Sequence, residues 1–261
     1  MAVADVPAAD RVVLVAGATG LVGRELLAAL SADRHNRAIH LLGRRAPPQD
    51  DPRWVAHVVD FARLPALPRV DEVYIALGTT IRVAGSQAAF RAVDHDAVLA
   101  VARAAHAAGA RALGVVSAMG ADAGSRVFYN RTKGETEQAL AGIGFERLVI
   151  ARPSLLVGDG GPLGQPQRPG ERIGLQLSRV LGPLIPAHYR PIAAQPVAAS
   201  LIAAVRAGVP GQRVLLSGAM QCAATTVRSS LKKADVDPLT PGNAPDLAGS
   251  SASTRANSAS Q

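Results

Sequence analysis

Residues 12–25, with the sequence VVLVAGATGLVGRE, predict how the fold begins: a short apolar strand turns through three glycines into an amphipathic helix. Gly17 allows a sharp turn out of the strand, Gly20 lets the main chain approach a pyrophosphate, and Gly23 lets the helix pack closely on the strand. The spacing is G-x-x-G-x-x-G rather than the commoner G-x-G-x-x-G, and a simple glycine-rich turn is the alternative. The order of strand, turn and helix favours a nucleotide-binding turn whose helix N-terminus faces the phosphates.

The rest of the chain alternates strands with helices. The first helix carries an apolar face made of Val22, Leu26, Leu27 and Leu30. We expect strands at residues 38–42, 55–59, 73–77, 112–116, 147–150 and 213–216, and helices at residues 87–108, 130–140, 173–181 and 196–207. This alternation predicts an α/β fold with a Rossmann-like, doubly wound parallel sheet.

Length and composition indicate one globular domain followed by a tail. The 261 residues are 48% hydrophobic, which suffices for one sizeable core. We expect residues 1–221 to form this domain, with a small substrate-side portion at residues 154–220 and a lid loop at residues 158–170. Residues 222–261 are rich in Ser, Ala, Thr, Pro and Asn, which predicts a disordered tail.

Charge and cysteine content argue against several classes of partner and site. The net charge is +8, but no basic run is longer than a pair and aromatic residues make up only 3%, so we expect a scattered basic surface and no nucleic acid partner. Cys222 is the single cysteine, which excludes an intrachain disulfide and fits a reducing compartment; we expect a cytoplasmic protein. No uninterrupted stretch of about 18 apolar residues exists, so we expect no integral membrane association.

Two arginines follow the second predicted strand. An NAD-specific site usually carries a carboxylate there, about 20 residues after the glycines. Arg44 and Arg45 instead favour the 2′-phosphate of NADP(H), because guanidinium groups bind phosphate in a bidentate manner; ordinary surface arginines are the alternative. Ligands of an open parallel sheet lie outside the carboxyl ends of its strands, so we expect Asp60 near the adenine and residues 78–80 near the ribose.

A tyrosine and a lysine one helical turn apart indicate chemistry at a carbonyl group. Tyr129 and Lys133 are four residues apart on a predicted helix, and Ser117 ends a predicted strand. A tyrosine hydroxyl can act as the acid where a neighbouring ammonium lowers its pKa from about 10, and a serine hydroxyl can orient the same oxygen. Lys133 is the only lysine before the tail of an arginine-rich chain, which favours a specific role over an exposed surface lysine.

Other motifs in the chain fail as sites. Asp94, His95 and Asp96 resemble metal ligands, but adjacent helical residues point in different directions and no second cluster completes a site. We therefore expect a solvated helix face there and no metal. Neither a G-x-S-x-G nucleophile elbow nor a G-x-x-x-x-G-K-[ST] phosphate loop occurs, so the sequence gives no support to a hydrolase or a P-loop nucleotidase.

Six short motifs occur in a fixed order along residues 11–220: GATGLVG at 17–23, GRR at 43–45, LGTT at 77–80, VSAMGA at 116–121, Tyr129 with Lys133, and Arg152 with Pro153. In this order they resemble atypical, extended-type short-chain dehydrogenases/reductases, close to the NmrA-like and Tat-interacting-protein-like NADP-binding oxidoreductases. The resemblance implies that Ser117, Tyr129 and Lys133 form the catalytic trio, with Tyr129 as the acid or base and Lys133 also holding the nicotinamide ribose. It implies a cofactor site formed by Gly17, Thr19, Gly20, Leu21, Val22, Gly23, Arg44, Arg45, Asp60, Phe61, Gly78, Thr79, Thr80, Tyr129, Lys133 and Pro153.

Two residues depart from the family pattern, and they leave two functions open. Ala118 stands where many members have a second serine, and Asp94 stands near a position that is often asparagine in extended members. The patterns predict an NADP(H)-dependent oxidoreductase that moves hydride between the nicotinamide and a carbonyl or alcohol carbon of a small-molecule substrate. The alternative is an NADP(H)-sensing regulatory protein that binds a protein partner without turnover. Tyr129 and Lys133 favour the enzyme, and a homodimer is left open in both cases.

Overall fold

A seven-stranded parallel sheet forms the centre of the computed structural model, which describes residues 10–48, 50–157 and 190–222. Its strands are β1 (Arg11–Ala16), β2 (Asn36–Gly43), β3 (Trp54–Val58), β4 (Glu72–Ile75), β5 (Ala112–Val116), β6 (Arg147–Arg152) and β9 (Gly211–Leu216). They are arranged in the order β3-β2-β1-β4-β5-β6-β9. A separate parallel pair consists of β7 (Leu156–Val157) and β8 (Ile192–Ala193). Because every strand of the main sheet runs the same way, all carboxyl ends meet at one edge.

Helices cover both faces of the sheet. They are α1 (Leu21–Ala32), α2 (Ile81–Ala84), α3 (Gln87–Arg91), α4 (Val98–Ala107), α5 (Phe128–Ala141) and α6 (Ala194–Arg206). Helices α1 and α6 pack on one face, and α4 and α5 pack on the other. A π-helical segment, Ala92–Ala97, joins α3 to α4 without a break.

The core follows from the alternation of side chains along the buried central strands. On β1, Val13 and Val15 face α1 and α6, whereas Val12 and Leu14 face α4, and all four are at most 5% exposed. A strand buried on both faces is apolar at nearly every position, which explains the run that precedes the glycine turn. The predicted apolar face of α1 is confirmed, since its four members are all buried.

The predicted fold class is confirmed. The structure places β5 at the predicted residues, and the other predicted strands and the helices at residues 130–140 and 196–207 are within two residues of their predicted ends. The helix predicted at residues 87–108 is wrong as a single α-helix, because residues 92–97 widen into a π turn. The sequence also did not predict α2 or the pair of β7 and β8.

Three further predictions lie outside the described residues. These are the lid loop at residues 158–170, the helix at residues 173–181 and, apart from the exposed Cys222, the tail. Within residues 10–48, 50–157 and 190–222, no helix is both long enough and apolar enough to cross a membrane.

Candidate functional site

The glycine turn between β1 and α1 is built by close contacts between backbone atoms. Gly17 has φ +87°, and a Cβ atom there would lie 2.7 Å from the carbonyl oxygen of Ala76. A Cβ atom on Gly23 would lie 1.9 Å from the carbonyl oxygen of Gly17. At Gly20 the nearest atom to a Cβ would be 3.4 Å away, so this glycine leaves space above the turn. Gly17 and Gly23 are thus required by the fold, whereas a Cβ atom at position 20 would make only ordinary contacts.

The N-terminus of α1 has the properties of an anion site. Gly20 is its N-cap residue, and in the described part of the chain no side chain caps it. Helix geometry leaves the N–H groups of the first turn, at Leu21, Val22 and Gly23, without intrahelical acceptors, and the helix dipole adds positive charge. Thr19 is exposed beside them. A pyrophosphate would satisfy these donors, so this end of the predicted cofactor site fits a dinucleotide.

The ends of β2 and β3 lie side by side at the same edge. The N–H of Val59 donates to the carbonyl oxygen of Gly43, which joins the two strand ends. Arg44 and Arg45 are exposed, and neither forms an ion pair with a carboxylate that the structure describes. Asp60 is exposed and accepts a hydrogen bond from Ala62 N at 3.0 Å, whereas Phe61 packs partly into the core. Both guanidinium groups are therefore available to an anionic ligand.

The segment after β4 connects the same edge to the next helices. Thr79 N donates to Asp94 Oδ2 at 2.8 Å. Thr80 Oγ1 accepts a hydrogen bond from Val83 N at 3.2 Å and so caps α2. A Cβ atom on Gly78 would lie 3.4 Å from Asp94 Oδ1, which places this loop directly above the π segment.

Helix α5 carries three polar side chains in a row, one turn apart. The Tyr129 ring is half-buried and packs on Phe90 with 5.4 Å between ring centroids. The Lys133 ammonium lies 2.7 Å from Asp94 Oδ1, and the two side chains are only 7% and 1% exposed. Glu137 follows one turn later and is also buried. The predicted Tyr129 and Lys133 thus share a helix face, and Lys133 is enclosed rather than on the surface.

Ser117 contacts Glu137 at the end of β5. The Ser117 hydroxyl donates to Glu137 Oε1, and Arg152 Nε lies 3.1 Å from the same oxygen. A hydrogen bond to Glu137 raises the pKa of the Arg152 guanidinium above its ordinary value, although burial acts in the opposite direction. Three secondary-structure elements, β5, α5 and β6, are therefore held together by one buried carboxylate. Pro153 follows Arg152, and its carbonyl oxygen accepts from Met119 N at 2.9 Å.

Sequence reasoning missed the roles of Asp94 and Glu137. The prediction of a solvated helix face at Asp94 is wrong, because the π turn rotates this residue inward against α5. A period of 3.6 residues carries no signal for such a turn. Glu137 could have been found, because it continues the four-residue spacing of Tyr129 and Lys133.

A cavity lies beside α5, and the described residues contain no candidate metal cluster. The cavity has a volume of about 240 Å³ and is lined by residues that include Asp122, Gln138, Gln212 and the Arg152–Glu137 pair. Among the residues that the structure describes, no three His, Cys, Asp or Glu side chains are grouped to hold a metal ion.

Known proteins similar to this chain include a fungal and a mammalian protein. The chain is 33% identical over 185 residues to "Protein fmp52, mitochondrial" of Emericella nidulans, a match that covers 65% of this chain and 76% of the fungal protein. It is 34% identical over 169 residues to "Protein HTATIP2" of Rattus norvegicus, covering 62% of this chain and 70% of the rat protein. No protein-family model matches the chain.

Solved structures share the fold at low sequence identity. An oxidoreductase of the short-chain dehydrogenase/reductase family from Burkholderia thailandensis has a TM-score of 0.61 and 18% identity, with 86% of this chain and 98% of that chain covered. MoeE5, in complex with UDP-glucose and NAD, has a TM-score of 0.60 and 16% identity, with 84% and 82% covered. At these identities the likeness shows the fold.

The names of the relatives correct one expectation. Four fungal relatives are called mitochondrial, which contradicts the cytoplasmic location expected from the cysteine content. A single cysteine indicates a compartment that keeps thiols reduced, and this property does not single out the cytoplasm.

The fungal and rat proteins are at least 33% identical to this chain, and the matches cover at least 70% of each relative. The chain belongs to the family of the Fmp52 and HTATIP2 proteins, and it shares its fold with solved short-chain dehydrogenases/reductases.

Proposed function

We propose that this protein is an NADP(H)-dependent oxidoreductase that interconverts a carbonyl and an alcohol on a small substrate. The observation that carries the proposal is the buried Lys133 ammonium one helical turn from Tyr129, on a helix beside the carboxyl edge of the sheet. The fold shared with a solved short-chain dehydrogenase/reductase and with an NAD-bound structure supports a nicotinamide-dependent oxidoreductase in general. The uncapped N-terminus of α1 supports a dinucleotide at the same edge.

In this proposal the chain's own residues handle the proton and the charge. The bound nicotinamide supplies the hydride. Tyr129 Oη donates a proton to the carbonyl oxygen during reduction and takes it back during oxidation. The Lys133 ammonium stabilises the negative charge that is left on the Tyr129 oxygen. The Ser117 hydroxyl lies at the end of β5 and donates to Glu137, so it connects the strand end to α5 beside Lys133.

The preference for NADP(H) over NAD(H) rests on Arg44 and Arg45. Both are exposed at the end of β2, and neither pairs with a carboxylate of the described chain, so a 2′-phosphate would meet two free guanidinium groups. Charge-assisted hydrogen bonds of this kind contribute about 1.5–3 kcal/mol each. NADPH should therefore bind at least about tenfold more tightly than NADH.

Binding titrations with both cofactors test this preference. The double variant Arg44→Ala/Arg45→Ala should lose the preference for NADPH while its affinity for NADH stays unchanged. Arg111→Ala is the matched control, because it removes an exposed arginine at the opposite edge, where it pairs with Glu146. Equal affinities for NADPH and NADH in the unmodified protein would contradict the proposal.

A regulatory NADP(H) sensor without turnover is the second candidate. The observation that favours it is that the Ser117 hydroxyl donates to Glu137, and the next residue, Ala118, offers no second hydroxyl for a substrate oxygen. A panel of aldehydes and ketones, followed by NADPH absorbance, separates the two candidates. Turnover that disappears in Tyr129→Phe supports the enzyme, and tight NADPH binding without any turnover supports the sensor.

A further inference from the structure

The two carboxylate oxygens of Asp94 contact two groups of the proposed site, the Lys133 ammonium and the backbone N–H of Thr79. Oδ1 lies 2.7 Å from Lys133 Nζ, and Oδ2 accepts from Thr79 N at 2.8 Å. The side chain is 1% exposed, so both contacts form away from bulk water. One residue therefore connects the catalytic helix α5 with the loop after β4.

The backbone around Asp94 is also fixed to α5. Asp94 lies in the π segment, a helix type that is rare and frequent at functional sites. The Thr136 hydroxyl lies 3.1 Å from the carbonyl oxygen of Asp94 and 2.7 Å from that of Thr132. The π turn thus presents the carboxylate to Lys133, and α5 holds the turn in place.

The other charged groups around α5 are paired with one another. Glu137 pairs with Arg152, Glu135 pairs with Arg91 and is 3.9 Å from Arg131, and His95 pairs with Asp96. Among the residues that the structure describes, Asp94 is the carboxylate in direct contact with the Lys133 ammonium. Its charge therefore has the largest effect on that ammonium, because the Coulomb energy grows as distance and dielectric constant decrease.

We propose that Asp94 is a positioning residue that orients the Lys133 ammonium and, as its counter-charge, sets the pH range in which Tyr129 can act as an acid. This inference rests on the proposed oxidoreductase function and deepens it. The Asp94 carboxylate balances part of the positive charge that would otherwise stabilise a Tyr129 anion. Through Thr79 N it also holds the loop at the cofactor edge, so Lys133 and the cofactor loop keep a fixed relation.

Two substitutions at Asp94 separate charge from position. Asp94→Asn keeps an oxygen that can accept from Thr79 N, but it removes the charge beside Lys133. The alkaline limb of the kcat/KM profile for carbonyl reduction should move to lower pH by about one unit, and KM for NADPH should stay within about twofold. Asp94→Ala removes both contacts, so KM for NADPH should also rise. Asp96→Asn, two residues away and 63% exposed, is the control and should keep the profile of the unmodified protein.

A second measurement does not depend on turnover. The chain contains only three lysines, Lys133, Lys232 and Lys233, so ¹⁵N-lysine labelling gives a simple spectrum in which Lys133→Arg assigns the buried ammonium. Asp94→Asn should shift or broaden that signal through faster exchange, and Asp96→Asn should leave it unchanged. If the unmodified protein turns over no carbonyl compound, the proposed function fails, and this signal still decides whether Asp94 positions Lys133.

Two results in Asp94→Asn would each overturn part of the inference. An alkaline limb that stays in place in Asp94→Asn overturns the counter-charge, and an unchanged Lys133 signal overturns the positioning. A purely structural role would lower the melting temperature without moving the limb. If Asp94→Asn does not fold, Asp94→Glu keeps the charge on a longer side chain: kcat should then fall while the limb stays at its original pH, and a limb displaced by this charge-conserving change would contradict the proposal.

Discussion

Two buried ionic clusters lie at opposite ends of the sheet, and they differ in how fully their cations are engaged. The amino-end cluster consists of Asp33, Asn36, Glu72 and Arg206. Its guanidinium uses three nitrogens: Nε lies 3.2 Å from Glu72, Nη1 lies 2.7 Å from Asp33, and Nη2 lies 3.0 Å from Asn36. This arginine joins α6 to α1, β2 and β4 and has its donors committed within the fold.

The carboxyl-end cluster consists of Asp94, Ser117, Lys133, Glu137 and Arg152. Its arginine is again committed, to Glu137, but its second cation is a lysine. Only three of the 28 basic residues in the chain are lysines. An ammonium is a compact charge with three donors, whereas a guanidinium is a rigid fork suited to fixed pairs. In both clusters arginine makes the fixed pairs of the scaffold, whereas Lys133 is the compact cation that the proposed function places beside the cofactor.

The largest expected effect comes from Tyr129→Phe at the carboxyl end. The substitution keeps the ring that packs on Phe90 but removes the acid, so turnover of any reduced substrate should fall by about 10²–10⁴. NADPH affinity and the melting temperature should stay unchanged. Full turnover in this variant would remove Tyr129 from the mechanism and would weaken the distinction between the two clusters.

At the amino end, Arg206→Ala should change stability and leave function intact. Removing the guanidinium takes the cation away from Glu72, whose side chain is 6% exposed and keeps a hydrogen bond from the Tyr74 hydroxyl, and breaking a buried pair in this way costs about 3–5 kcal/mol. Urea unfolding measures the loss, and NADPH titration of the folded variant should give the original affinity. Arg111→Ala, which breaks an exposed pair, should cost no more than about 1 kcal/mol. A cofactor affinity that falls in Arg206→Ala would show that the two ends are coupled.

A smaller effect is the pH dependence of stability that arises from His40 on β2, outside the amino-end cluster. Burial, with a contribution from His57, lowers the pKa of His40 below its ordinary value of 6.5. The folded protein binds this proton less readily than the unfolded chain does, so stability is highest above the ordinary pKa of 6.5 and declines as the pH falls from there towards the lower pKa of the folded protein. His40→Asn should flatten the melting temperature over this interval, measured against the unmodified protein.

Asp33, in the amino-end cluster, affects stability over a lower range of pH than His40 does. Burial alone would raise the pKa of Asp33, but hydrogen bonds from His35 N and Arg11 together with Arg206 lower it below 3.8. Its contribution to stability is present above that ordinary value and is lost as the pH falls through the lower folded value. The acid sensitivity that remains in His40→Asn should therefore begin as the pH approaches the ordinary carboxyl values of 3.8 and 4.5, because the pKa values of Asp51 and Glu135 are lowered as well. If stability in that variant still declines as the pH falls below 6.5, the effect belongs to other groups.

Much of the fold could be predicted because local patterns carry it. The apolar run before Gly17 predicted a strand buried on both faces, and the spacing of Val22, Leu26 and Leu30 predicted the buried face of α1. The four-residue interval between Tyr129 and Lys133 predicted that both lie on one face of a helix. Each of these features depends on periods of two or 3.6 residues, which the sequence displays directly.

The sequence by itself determined which segments are apolar strands, where the glycine turn lies, and that Tyr129 and Lys133 share a helix face. These features follow from backbone geometry over a few residues. Only the tertiary structure decided that Asp94 meets Lys133 and that Ser117 donates to Glu137. Asp94 and Lys133 are far apart in sequence, and their 2.7 Å contact depends on a π turn and on how closely two helices approach each other on one face of the sheet. Such a pairing is a property of packing, and periodicity specifies which face of a helix is buried but not which side chain it meets.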